Sequence, residues 1–193
     1  MLRTRDFAIA FLEEFLRHVN PSRDWSGLEL KPDSFISPQY SAQYADTLYG
    51  LKQGEDETLI YFLIEHKSQQ HYWTLRYMSQ QMDQIWRKWQ ETKGGGKKYW
   101  SVIVPIILHQ AATTWTAPTR FEQYFKEPGK YTPRFSAELV DLAAVPMQTL
   151  TDPLLETILS LMLAVRQGHR KSGCWGTLTN YRSRSSNDTA TSN

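Results

Sequence analysis

The sequence predicts a small mixed α/β domain in which helices pack on a β-sheet. Two kinds of hydrophobic spacing support this. In some segments apolar residues recur every three to four positions, which is typical of amphipathic helices, and in others they form short continuous or alternating runs, which is typical of strands. The predicted order is helix, strand, strand, helix, strand, a further strand and helix. Such an order favours a layered α/β architecture.

Length and composition indicate one globular domain. The chain has 193 residues, of which 40% are hydrophobic and 13% aromatic, enough for a single hydrophobic core. No apolar run approaches the roughly 18–20 residues that cross a bilayer, and the N-terminus lacks the apolar stretch of a signal peptide. The single cysteine, Cys174, excludes an internal disulfide framework. We therefore expect a cytoplasmic protein with no membrane partner.

The net charge of +2 comes from the C-terminal segment. From Arg166 onward the chain has five basic residues and one acid, Asp188, so the rest of the chain has two more acids than bases. Global charge therefore does not predict nucleic-acid binding, and such a function has to be argued from a local patch.

The first half of the chain predicts a helix and then a β-hairpin. Apolar residues between Phe7 and Leu16 have helical spacing, and residues 22–43 have the composition of a loop with one short element at most. Residues 44–52 and 58–67 have strand composition and flank a turn-forming segment. Both alternating faces of the second strand are apolar, which predicts a central strand covered on both sides.

The second half predicts a helix, two strands and a final helix. Residues 73–93 form the helix, residues 100–109 a buried strand and residues 135–142 a further strand. The last helix opens at Pro153 and continues through Leu163. The apolar stripe of the first of these helices consists of Leu75, Met78, Met82, Ile85, Trp86 and Trp89.

Three charged residues of the hairpin could meet at one site. Glu65 and Lys67 are two residues apart on the second strand and so share a face. If a four-residue loop places Lys52 opposite Glu57, Asp46 faces Leu63 and becomes a diagonal neighbour of Glu65, with backbones roughly 7–8 Å apart.

Two carboxylates at this spacing can hold one hard divalent cation. Mg²⁺ (or Mn²⁺) prefers oxygen ligands, so Asp46, Glu65 and the backbone carbonyl of His66 form a candidate metal site. The alternative is structural: Lys67 bridges one of the carboxylates at a solvated strand end, and a Glu-x-Lys tripeptide often occurs by chance. Spacing alone favours the structural alternative.

Five short motifs follow one another along the chain, with Trp115 between the last two. They are residues 45–49 (ADTLY), 63–68 (LIEHKS), 75–78 (LRYM), 102–109 (VIVPIILH) and 139–142 (LVDL). In type and order, over roughly residues 7–165, they resemble the motifs of the Rpn (recombination-promoting nuclease) or YhgA-like putative transposase family, a branch of the PD-(D/E)xK phosphodiesterases.

The resemblance implies a restriction-endonuclease-like core and Mg²⁺-dependent hydrolysis of DNA. Asp46 and Glu65 would hold one or two metal ions, and Lys67 would orient the attacking water or stabilise charge on the phosphate. Many relatives have glutamine at the position of Lys67. The lysine here restores the residue of the wider superfamily.

Basic residues on and after the second predicted helix are candidates for DNA contacts, since phosphate contacts dominate non-specific affinity. We select Arg76 first, then Lys93, Lys97 and Lys98. Arg87 and Lys88 belong to the same cluster, and the alternative is that these cations lie on a solvated helix face or favour its C-terminus.

Tryptophans and histidines nearby have structural alternatives as well. Trp73 could stack on bases, whereas Trp86 and Trp89 fit core packing better. His66 is expected on the face opposite Glu65, with a structural role. The spacing of His71 and His109 does not support a zinc site.

Two departures from the family pattern concern the chain's ends. Family members usually begin with a segment containing a D-x-x-F-K-like motif and continue well past position 170. We expect a nuclease-like domain over residues 1–165 and a disordered tail over residues 166–193, rich in Ser, Thr and Asn. The alternative function is therefore a truncated, inactive DNA- or protein-binding remnant of the fold, and a homo-oligomer stays open.

Overall fold

A computed structural model describes residues 3–20, 22, 24–32, 47–53, 58–93, 99–111 and 113–172. Helices and strands within these ranges follow the predicted order, with a short additional strand before the hairpin. The helices are α1 (Arg5–Phe15), α2 (Thr74–Lys93) and α3 (Pro153–Ser172). The strands are β1 (Leu28–Leu30), β2 (Thr47–Gln53), β3 (Thr58–Lys67), β4 (Val102–His109) and β5 (Glu138–Asp141).

The five strands form one mixed sheet in the order β1-β2-β3-β4-β5. β1 and β3 each pair antiparallel with β2, whereas β3 and β4, and β4 and β5, pair parallel. Parallel neighbours need a crossover connection, and α2 supplies it between β3 and β4. The predicted α/β class, a mixed central sheet flanked by helices, is confirmed.

Both faces of β3 are buried, as the apolar character of both its faces predicts. Phe62 and Ile64 belong to a core formed with α1 and α3, and Tyr61 and Leu63 belong to a second core formed with α2. Because β3 lies between two cores, truncation of a side chain such as Leu63 to alanine should cost about 2–5 kcal/mol of folding free energy. β3 is therefore a rigid support for any group at its end.

The register of the hairpin differs from the prediction by two residues. Lys52 pairs with Leu59 rather than with Glu57, and Leu48 rather than Asp46 lies opposite Leu63. A shift of two residues leaves every side chain on its predicted face, so the hydrophobic pattern cannot detect it. The observed register therefore changes which residues of β2 and β3 lie opposite each other. It does not change which of them share a face of the sheet.

The last helix is longer than predicted. α3 continues to Ser172, so residues 166–172 of the expected disordered tail are helical. Gly168 costs a helix interior only about 1 kcal/mol, and basic residues such as Arg170 and Lys171 favour a helix C-terminus. The rest of the expected tail, residues 173–193, lies outside the described residues.

Candidate active site

The C-terminal end of β3 carries two buried charged side chains. Glu65 and Lys67 are two residues apart, so both project to the face that Leu63 shares with α2. Only 2% of Glu65 and 4% of Lys67 is exposed. Ionised groups are rarely buried this deeply unless they are paired or liganded, because each loses its hydration. The prediction that the two side chains project together agrees with this geometry.

The two side chains form an ion pair that uses only half of the carboxylate. The ammonium nitrogen of Lys67 contacts Oε1 of Glu65. The second oxygen, Oε2, is buried and has no hydrogen-bond partner among the described residues. A buried acceptor without a partner costs about 1–3 kcal/mol, and more when it is charged. Glu65 therefore presents one carboxylate oxygen that could accept a cation or a proton donor.

Asp46, the other predicted carboxylate, lies outside the described residues. The described part of β2 begins at the next residue, Thr47, which pairs with Ile64. Ile64 immediately precedes Glu65 on β3. The predicted meeting of Asp46 with Glu65 therefore stays a prediction.

His66 contacts a different part of the molecule from Glu65. Its ring Nε2 lies 2.5 Å from Oε1 of Gln110, and the amide nitrogen of Gln110 donates to the carbonyl of Met162 on α3. The backbone N–H of Gln110 also donates to the carbonyl of Lys67 at 2.7 Å. The side chain of His66 thus helps to fix the end of β3 against α3, and its carbonyl as a metal ligand stays a prediction.

A histidine–aspartate pair on β4 and β5 was not predicted. His109 is the register partner of Lys67, and Asp141 is the register partner of His109, so the three residues end adjacent strands. Nδ1 of His109 lies 3.0 Å from Oδ1 of Asp141. The other carboxylate oxygen accepts the backbone N–H of Trp115 at 2.7 Å. These contacts order the end of the sheet beside Lys67.

Asp141 contacts one of the two ring nitrogens of His109. In the neutral tautomer whose Nδ1 donates to Asp141, Nε2 is an acceptor. The ring is fully buried, packs edge-on against Trp115 at 5.0 Å, and its Nε2 has no hydrogen-bond partner within the described part of the chain. The sequence did contain a signal for this pair. Strands β4 and β5 each end in a polar residue, and the C-terminal ends of parallel neighbours meet at one edge of the sheet.

The described residues alone do not complete a metal site. No group of three or more His, Cys, Asp or Glu side chains among them has the arrangement needed to hold an ion. A single carboxylate oxygen of Glu65 fits a hard cation such as Mg²⁺, which uses few protein ligands and keeps several waters. A metal site that joins Glu65 to Asp46 and the carbonyl of His66 therefore stays a prediction.

Two of the four cations predicted to contact DNA lie within the described residues. Arg76 is exposed near the start of α2, with its guanidinium 5.8 Å from the ring centre of Tyr77. Lys93 is the last residue of α2, and Lys97 and Lys98 lie outside the described residues. A role for all four in DNA binding stays a prediction.

The other two cations of that cluster pair with acids on α2. Arg87 contacts Asp83 at 2.7 Å, and Lys88 contacts Glu91 at 3.6 Å. Pairs of this kind are typical of a solvated helix face and add little stability. This geometry agrees with the structural alternative for Arg87 and Lys88.

The acids of α1 have structural partners away from Glu65. Glu13 accepts a hydrogen bond from the indole of Trp25, and Glu14 accepts one from the hydroxyl of Thr151. Both line a cleft of about 440 Å³ between α1 and the start of α3, which also contains Asp152. The predicted site residues Glu65, His66, Lys67 and Arg76 do not line this cleft.

Comparisons with known proteins support one family. No curated protein and no solved structure matches the chain. Within the described residues, no helix has the length and apolar character needed to cross a membrane. A family model described as that of YhgA-like putative transposases matches residues 1–191, nearly the whole chain. The chain therefore belongs to the YhgA-like putative transposase family.

Proposed function

We propose that this protein is a Mg²⁺-dependent DNA endonuclease, with its centre at the end of β3. The observation that carries the proposal is the buried second oxygen of Glu65, which has no hydrogen-bond partner among the described residues. The family of putative transposases supports DNA as the substrate. A single cysteine in 193 residues fits a reducing compartment, and we propose the cytoplasm.

The donor set suits a hard divalent ion. Glu65 would supply Oε2 directly, with Asp46 and the carbonyl of His66 as the further proposed ligands. When bound, such an ion lowers the pKa of a bound water and neutralises charge on a phosphate. The rigid support of β3 would keep Glu65 in position, because both faces of the strand are packed.

Lys67 is the proposed charge-stabilising residue. Its ammonium group is buried next to Glu65 and therefore acts in a medium of lower effective dielectric than water. In the proposed reaction it orients the attacking water or stabilises negative charge that develops on the phosphate. His109 and Asp141 would support this end of the sheet from the neighbouring strands.

A second candidate function is binding without turnover. The observation that favours it is the ion pair itself, because Lys67 already neutralises the charge of Glu65. In that case the pair would be a structural element of a DNA- or protein-binding chain. Loss of the carboxylate would then change only the stability of the protein, because the wild type itself would have no catalytic activity.

A plasmid-nicking assay with Mg²⁺ tests the proposal. The wild type should relax supercoiled plasmid, and Glu65→Gln and Lys67→Met should each reduce the rate by about a hundredfold or more, since each effect is worth several kcal/mol in the transition state. Glu29→Gln is the matched control, because Glu29 is also paired with a lysine two residues on but is exposed. Equal nicking by all four proteins would attribute the activity to another site or to contamination.

A further inference from the structure

Three aromatic rings form a ledge where α2 begins, two of them exposed and the third, Tyr124, half-buried. Trp73 stacks on Tyr124 with ring centres 5.1 Å apart and planes at 28°, and Tyr72 packs edge-on against both. Tyr72 is 52% exposed and Trp73 45% exposed. We call these three residues the aromatic ledge. Large aromatic side chains that stay in water as a group are candidates for a binding surface.

Hydrogen bonds hold the ledge in one arrangement. The hydroxyl of Tyr124 donates to the carbonyl of Tyr72 at 2.7 Å and accepts the backbone N–H of Leu75 at 3.2 Å. Burial raises the pKa of this hydroxyl, so it keeps its proton at neutral pH. Phe121 supports the ring of Tyr124 with centres 5.5 Å apart. Because the rings are already ordered, a ligand that stacks on them loses little binding energy to ordering the protein.

The segment between β3 and the ledge is anchored to the chain that follows β4. The side chain of Gln70 donates to the carbonyl of Thr114 at 2.6 Å and accepts the backbone N–H of Thr116 at 2.9 Å. Trp115, between those two residues, donates to Asp141 at the end of β5. Trp73 is six positions after Lys67, which limits their backbones to about 20 Å apart. One ligand of a few nucleotides could therefore touch both places.

The α2 side of the ledge carries an exposed cation and no acid. No acidic residue occurs between Glu65 and Asp83, whereas acids do flank Tyr124 in sequence. Arg76 is exposed in the first turn of α2, at the helix end where the backbone dipole also favours negative charge. A partner with flat apolar faces and regularly spaced negative charge is a nucleic acid whose bases are unstacked.

We propose that the aromatic ledge binds unpaired nucleotides of the DNA substrate by base stacking, with Arg76 on the adjacent phosphate. In a duplex the faces of the bases are covered by their neighbours, so the ledge favours single-stranded or locally opened DNA over intact duplex. The role of unpaired nucleotides in cleavage rests on the proposed function, whereas their binding to the ledge requires no catalysis.

Fluorescence anisotropy with a labelled oligonucleotide of about 20 nucleotides, single-stranded or paired with its complement, tests the proposal. The full-length Glu65→Gln protein is used in EDTA, so that no cleavage occurs. Trp73→Leu should weaken single-strand binding by about fivefold to one-hundredfold, the usual effect of losing one stacked base, whereas duplex binding should change less than about twofold. Trp73→Phe keeps an aromatic face and should retain most of the affinity.

Trp100 provides a matched control. It is 57% exposed and stacks on Trp86 at the same distance of 5.1 Å, with planes at 22°. Trp86 is 13 positions along α2 from Trp73, about 20 Å at 1.5 Å per residue, so Trp100→Leu should leave single-strand binding unchanged. Equal effects of Trp73→Leu and Trp100→Leu, or equal affinities of Trp73→Phe and Trp73→Leu, would overturn the proposal.

The outcomes separate this proposal from the proposed function. Single-strand binding that depends on Trp73, together with no plasmid nicking by the wild type, would support the ledge and reject the nuclease. Nicking by the wild type, with no effect of Trp73→Leu on single-strand binding, would reject the ledge and leave the nuclease supported.

Discussion

The sheet contains two Glu-x-Lys tripeptides, one at its edge and one at its centre. On edge strand β1, Glu29 contacts Lys31 at 2.9 Å, and half of the glutamate side chain is exposed. On central strand β3, Glu65 contacts Lys67, and their side chains are 3% and 5% exposed. The spacing is identical and both pairs form. Spacing therefore predicts contact, whereas depth in the sheet decides whether the contact has chemical consequences.

The carboxylate of the edge pair is exposed to solvent and has a second lysine partner. Hydrogen bonding to Lys31, and then to Lys52 on β2, lowers the pKa of Glu29. The side chain of Glu29 is half exposed, so its carboxylate can exchange a lost lysine partner for water. In the central pair water cannot replace a lost partner, which is why the second oxygen of Glu65 is a candidate for binding a cation.

The largest expected difference between the pairs is in stability after loss of the lysine. In EDTA, Lys67→Met should lower the free energy of unfolding by about 3–5 kcal/mol, because it leaves the carboxylate of Glu65 buried without its cation. Lys31→Met should lower it by less than about 1 kcal/mol. Urea unfolding followed by tryptophan fluorescence measures both.

A double variant separates loss of charge pairing from loss of packing. Glu65→Gln with Lys67→Met removes both charges and should recover much of the stability that Lys67→Met loses. Similar losses of unfolding free energy for Lys67→Met and Lys31→Met would contradict the larger effect expected for the buried pair.

The two ends of β5 offer a second, smaller contrast between buried and exposed partners. Asp141 accepts hydrogen bonds from His109 and from the backbone of Trp115, whereas Glu138 contacts the exposed His18 at 3.3 Å. Asp141→Ala should cost about 2–3 kcal/mol of stability, since it leaves buried donors unpaired. Glu138→Ala should cost less than about 1 kcal/mol, and thermal unfolding of the two variants at one pH decides the ranking.

The smallest expected effect is the pH dependence of the edge pair. Because the folded state lowers the pKa of Glu29 below its ordinary value of 4.5, the pair stabilises the fold above that value, and this contribution disappears as pH falls through the folded pKa. Wild type should exceed Glu29→Gln in stability by a few tenths of a kcal/mol at about pH 7 and by nothing at about pH 3. A difference that grows on acidification would have the wrong sign.

Local periodicity was sufficient to predict most of the fold. The alternation along β3 and the apolar stripe from Leu75 to Trp89 each report which side chains face the core, and the structure places them there. The hairpin register was wrong because a shift of two residues preserves every face. The end of α3 was wrong because a change of composition near Gly168 does not by itself stop a helix.

The candidate site was predictable only where its parts are close in sequence. Glu65 and Lys67 follow from the period of a strand, but their burial depends on α2 and on both neighbouring strands. His109 and Asp141 are 32 positions apart and meet through parallel pairing, which no local pattern specifies. The ledge likewise joins Tyr124 to Tyr72 and Trp73 across about fifty residues.

Binding of Mn²⁺ to the metal-free protein, followed by the electron paramagnetic resonance signal of the free ion, tests the central claim that Glu65 holds a catalytic cation. The wild type and Glu29→Gln should bind Mn²⁺ with the same affinity, and Glu65→Gln should bind it at least about tenfold more weakly. Identical titrations for Glu65→Gln and Glu29→Gln would contradict the claim, and the buried pair would then be a structural ion pair.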